Sequence, residues 1–160
     1  MGDADYKMKK IVTYLNLIIV IGIMGSIFFM SSQTGKESSE LSHGVILRLR
    51  ENIESTTWIG SNLKAFFASN AVVLTRKMAH IIIYLLLGMG GYRLLPQKWS
   101  VKKRIFVGIS LCCVYGVSDE FHQMFVPNRS AQIVDVIIDT IGSGIGVGIG
   151  VVLNKYCKRI

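Results

Sequence analysis

Arg76, Lys77 and His80 sit near the start of one long apolar stretch of this chain. Asp119, Glu120, His122 and Gln123 lie near the end of the next, and Asp135 and Asp139 near the start of the last. A charge in hydrocarbon costs about 2.5–3.5 kcal/mol on insertion scales, so such residues persist where they pair, face a wet cavity or perform a task. Their types allow acid–base chemistry, because His80 or His122 beside Asp119, Glu120 or Asp135 sets an imidazole against a carboxylate. They also allow anion binding, by Arg76, Lys77 and Arg129 beside the exposed N-terminus of the last helix, with Ser130 as its cap. Asp119, His122, Asp135 and Asp139 are also possible ligands for a divalent cation, but no spacing matches a strong metal motif and the metal is left unassigned. The plain alternative is a self-satisfied network pairing Lys77 with Asp135, His80 with Asp119 and Arg129 with Glu120.

Helical spacing gathers these groups. Lys77, His80 and Tyr84 fall at i, i+3 and i+7, on one face, and Gly88 continues it. Tyr115, Asp119 and His122 repeat the pattern, flanked by Glu120 and Gln123. Asp135 and Asp139 are one turn apart, with Gly142 and Gly146 below them. The elements that must carry these stripes are apolar runs at about 11–31, 71–95, 105–126 and 133–153, each near the 20 residues that cross a hydrocarbon core about 30 Å thick. The expected fold class is an all-α membrane protein, a single domain over 1–160 with four transmembrane helices. The first run exceeds the 7–15 residues of a signal-peptide core and no small-x-small cleavage site follows it, so it is read as a retained helix.

The net charge of +8 is distributed in a way that excludes nucleic acid as its reason. Lys7, Lys9 and Lys10 precede the first run. Arg93, Lys98, Lys102, Lys103 and Arg104 surround the connection between the second and third, and Lys155, Lys158 and Arg159 follow the fourth. Segment 32–70 balances its charges, and Arg129 is the single charge of the last connection. The positive-inside rule therefore places both termini in the cytoplasm and the polar stripes in the outer leaflet. Leu41, Val45, Leu49 and Ile53 recur every four residues within 32–70, predicting an outer amphipathic helix, with Trp58 suited to the headgroup level. Short connections predict that helices two, three and four are antiparallel neighbours. Gly142, Gly146 and Gly150 offer a close-packing stripe, which is also the expected seam of a homo-oligomer. Cys112, Cys113 and Cys157 are not placed for a disulfide framework and read as ordinary apolar residues or tail.

Four segments together resemble the VanZ-like family of bacterial membrane proteins over roughly residues 11–153. They are Arg76-Lys77-x-x-His80-x-x-x-Tyr84-x-x-x-Gly88, then Tyr115-x-x-x-Asp119-Glu120-x-His122-Gln123, then Pro127-x-Arg129-x-x-x-x-x-Asp135, and finally Asp139-x-x-Gly142-x-x-x-Gly146. Ser31-Ser32-Gln33, at the end of the first helix, adds to the likeness. Asp139 stands where many relatives are expected to have Asn. The resemblance implies a small polytopic protein of the bacterial cell membrane, in some members linked to lowered susceptibility to the glycopeptide teicoplanin. It supplies no reaction, so no catalytic role is carried over from it.

The combined expectation is an outer-leaflet pocket that binds or modifies an anionic, lipid-linked head group of the cell envelope. His80, Asp119, Glu120 and His122 are its candidate acid–base groups, and Arg76, Lys77, Tyr84, Gln123, Arg129, Asp135 and Asp139 its binding groups. The expected partners are the bilayer and such an envelope precursor, with no nucleic acid and no cofactor. Two other functions use the same residues: a small carrier with these groups as a proton or ion relay, and a non-catalytic scaffold or immunity protein. A carrier would normally show internal repeats, and the chain shows none.

Overall fold

The computed structural model describes the backbone of residues 3–38, 40, 44, 47 and 61–157, with side chains except at 4, 5, 61–69 and 157. Four long helices carry it: α1 (Asp3–Ser32), α2 (Ser61–Leu94), α3 (Val101–Gln123) and α4 (Ile133–Cys157). All four are long and apolar enough to cross a membrane. The expected all-α, four-span architecture is what the chain adopts.

Several boundaries differ from expectation. α2 begins at Ser61 rather than near 71, so residues 61–70, expected in the outer segment, extend a spanning helix. At 1.5 Å per residue its 34 residues reach about 51 Å, well beyond a 30 Å core. Hydropathy marks where lipid stops, but no proline or glycine between Ser61 and Gly88 stops the helix. α3 begins at Val101, set by Ser100, whose extended backbone and side chain cap the amide of Lys103 at 3.3 Å. It ends at Gln123, and Met124–Asn128 turn, with Asn128 at φ 58°, a conformation Asn tolerates. The amphipathic helix expected on Leu41, Val45, Leu49 and Ile53, and Trp58 with it, lie outside the described residues. Before them, Thr34 and Glu37 form a reciprocal cap, each side chain bonding the other's amide. Its Thr-x-x-Glu spacing is legible in the sequence.

The packing order is not the chain order. The most extensive contact joins α2 to α4, and the two run parallel: Ile81 lies against Gly142, Leu85 against Gly146 and Tyr92 against Gly150. A Cβ on Gly142 would lie 2.7 Å from the Ile81 carbonyl oxygen, and one on Gly146 would collide with the carbonyl of Leu85. Only glycine permits this approach. α3 runs antiparallel to α4, and α1 packs on α2 and α3. Helices α2 and α3, expected with α4 to be antiparallel neighbours, do touch, but the most extensive contact is the parallel one between α2 and α4: backbone approach outweighs a short connection. The stripe Gly142–Gly146–Gly150, expected as the seam of a homo-oligomer, is used inside the chain against α2, and Gly148 beside it meets nothing within 4 Å among the described residues.

The bundle has its polar groups inside and its apolar groups outside. Ile18, Phe106, Val114, Ile133 and Ile137 face outward. Ser31, Arg104, Asp119, Glu120, Gln123, Asp139 and Ser143 are buried. That inversion is expected when lipid is the solvent and every polar group must find its partner within the protein.

Candidate functional site

The α2–α4 register brings the two stripes together. Lys77 pairs with Asp135 in a hydrogen-bonded ion pair, the pairing that the self-satisfied alternative gave it. One turn deeper, His80 Nδ1 lies 3.3 Å from Asp139 Oδ1, an ion-pair distance without hydrogen-bond alignment. Asp139, rather than the expected Asp119, is therefore its nearest carboxylate. Asp119 enters from α3, and ligand atoms of His80, Asp119 and Asp139 all lie within 4.8 Å of one another. Gly116 makes room: a Cβ there would stand 3.7 Å from both the Asp139 Cβ and the Tyr84 hydroxyl. Tyr84 is wholly buried, and its hydroxyl has no hydrogen-bond partner among the described residues. Both Asp139 carboxylate oxygens are in the same position, since Ser143 bonds only the Asp139 backbone carbonyl.

Asp119 is oriented by Gln123, whose amide donates to Asp119 Oδ2 and to Ser31 Oγ, each at 3.2 Å. Ser31 brings α1 into the site. Sequence reasoning placed it only at the end of a helix, and its signal was a serine in step with the apolar face of α1.

Two expected members lie apart. His122 packs its ring on Phe28 of α1 at 4.5 Å, and Tyr115, at the other end of the same stripe, donates to the Met24 carbonyl. Glu120 does not pair with Arg129. It accepts the Gln132 backbone N–H at 2.8 Å, so this carboxylate, and not Ser130, satisfies the start of α4. The helix terminus expected to receive an exogenous anion is thus partly occupied by the protein's own. Arg129 instead donates to the Met30 carbonyl at 3.2 Å, tying the α3–α4 connection to the end of α1. Burial first, and the Arg76 guanidinium second, push Arg129 below the ordinary arginine range, although an arginine stays charged at any working pH.

A cavity of about 100 Å³ opens on this cluster, lined by Arg76, Lys77, His80, Gln123, Arg129, Gln132, Asp135 and Asp139. Among the described residues neither Arg76 nor Arg129 pairs with a carboxylate. Among the described residues, a wider groove of about 600 Å³ by Phe29, Ser32, Gln33, Glu37 and Glu40 is lined by carboxylates and by no cation. The two openings are therefore opposite in character.

Four helices long and apolar enough to cross a membrane mark a multi-pass membrane protein, and a partly polar cavity lies near one end of the bundle. A family model described as VanZ/LLP1 matches residues 16–154, nearly the whole chain, and the chain belongs to that family. No curated protein and no solved structure gives a significant match.

Proposed function

We propose that the cavity binds an anionic, phosphate-bearing head group of a lipid-linked envelope precursor in the outer leaflet of the bacterial cytoplasmic membrane. One observation carries this reading: Arg76, Lys77 and Arg129 line one small cavity, and only Lys77 has a carboxylate partner among the described residues. Cations brought together in an apolar surround repel one another and lose solvation, so an anion stabilises them all. At about 100 Å³ the cavity is smaller than ordinary ligand pockets and takes the phosphate alone, leaving the rest of the precursor outside it. The basic connection and termini at the opposite end support cytoplasmic termini. His80 and Asp139, which line the cavity, would then face the head group with Asp119 close behind them, and a change in teicoplanin susceptibility would follow from engaging an envelope precursor.

The direct test is binding of a polyprenyl phosphate and of the matching neutral polyprenol to the full chain in lipid nanodiscs. Loss of one charge-assisted hydrogen bond, about 1.5–3 kcal/mol, corresponds to about a 10–100-fold loss of affinity. Lys77→Gln and Arg129→Gln should each show it for the phosphate alone. Equal binding of the phosphate and the alcohol sinks the reading. Orientation is tested separately: a cysteine at exposed Lys36 should react with an impermeant thiol reagent outside intact cells, and Cys157 should not. The reverse pattern would move the site to the cytoplasmic face.

A further inference from the structure

The groups at the inner end of the cavity differ in kind from the cations at its rim. Asp139 is fully buried, and both its carboxylate oxygens lack a hydrogen-bond partner among the described residues. Asp119, nearly as buried, brings a second carboxylate into the same space, and His80 brings an imidazole nitrogen. Two carboxylates this close cannot both ionise in an apolar surround without a cation between them or a shared proton. The ammonium of Lys77, which lines the cavity, is engaged by Asp135.

We propose that His80, Asp119 and Asp139 bind one first-row divalent cation, of the manganese or zinc class, at the inner end of this cavity. Donor atoms bonded to such an ion at about 2.1 Å lie about 3–4.3 Å from one another. The present separations, all within 4.8 Å, close to that range by side-chain rotation alone. One imidazole with two carboxylates suits manganese or zinc better than calcium, which takes oxygen only. Supporting groups are in place: Gln123 fixes Asp119 through Oδ2, and the unpartnered Tyr84 hydroxyl lies beside Asp139 as a donor to it or to a metal-bound water. Three protein ligands leave coordination positions open, and the cavity side of the ion faces Arg76, Lys77 and Arg129. A phosphate oxygen bound there would bridge the cation and the basic rim; this part rests on the anion reading given above, and the metal site itself does not.

The test uses manganese alone on the purified full chain, freed of metal by chelator and held in nanodiscs. Binding of one equivalent is expected, with a nitrogen coupling in pulsed electron paramagnetic resonance that changes on 15N-histidine labelling. The chain has three histidines, His43, His80 and His122. Protein carrying both His43→Gln and His122→Gln should keep the coupling, and His80→Gln should lose it. Asp139→Asn should weaken binding at least tenfold. No manganese retained by the wild-type chain, or a coupling that disappears with His43 and His122, overturns the proposal; neither result depends on a variant of a ligand folding. Inorganic phosphate added to the manganese-loaded protein should introduce a phosphorus coupling. A histidine coupling without a phosphorus coupling retains the metal site and rejects the phosphate bridge.

Discussion

The two ends of this bundle bury charge in opposite ways. At the basic end Arg104 is almost completely enclosed, yet its guanidinium donates to the Tyr92 carbonyl at 2.9 Å and lies 4.0 Å over the Tyr92 ring. Its burial fastens the start of α3 to the end of α2, so a residue that sequence counted in the cytoplasmic basic belt is a structural bolt. At the other end His80, Asp119 and Asp139 are drawn together with carboxylate atoms left unpartnered. Burial alone therefore does not mark a site. What separates the two is that Arg104 has a backbone and a ring partner, although its Nε is left without one, whereas neither carboxylate oxygen of Asp139 has a hydrogen-bond partner among the described residues.

The seam joining the ends gives the strongest way to break this contrast. Gly146→Val places carbon against the Leu85 backbone, which cannot rotate away. About 3 kcal/mol or more of destabilisation is expected, seen as a large fall in thermal stability in detergent and loss of both ends at once. If only one end suffers, α2 and α4 are not held by this register.

Arg104→Leu should cost about 2–3 kcal/mol by removing a buried hydrogen bond and a ring contact, while leaving polyprenyl phosphate affinity unchanged in the fraction that folds. A neutral result would place Arg104 among ordinary belt cations. Asp139→Asn should behave in the opposite sense. It keeps the shape and removes an unsatisfied charge, so thermal stability should stay within about 1 kcal/mol of the parent or rise, while ligand binding falls. Destabilisation comparable to Arg104→Leu would make the site end structural as well.

The smallest effect belongs to Glu37, exposed just beyond the end of α1, whose bonds to the Thr34 backbone and side chain hold its carboxyl below the usual range. A lowered folded value means the stabilisation is complete above the unfolded carboxyl pKa and is lost as pH falls through the folded one. Amide exchange at 35–38 should accelerate on acidification in the parent and be already fast and nearly pH-independent, beyond the intrinsic exchange dependence, in Glu37→Gln.

Much of the site was legible from helical spacing. Lys77, His80 and Tyr84 do share a face, and Lys77 does meet Asp135. Periodicity failed on α3, where Tyr115, Asp119 and His122 look like one stripe. That stripe straddles a seam: Tyr115 and His122 contact α1, and Asp119 reaches the α2–α4 contact. A stripe about 60° wide can be divided between two neighbours, and spacing gives the direction of a side chain without saying which helix stands there.

Sequence by itself determined four apolar helices, the concentration of basic residues at one end and the depth of the polar residues at the other, because these follow from length, hydropathy and charge along a single chain. Only the tertiary structure decided that His80 meets Asp139, that Glu120 is spent on the start of α4, and that Ser31 belongs to the site. The physical reason is register. The glycines of α4 let two parallel backbones touch at one set of positions, and a slip of one turn, about 5.4 Å, would join different charges from the same sequence.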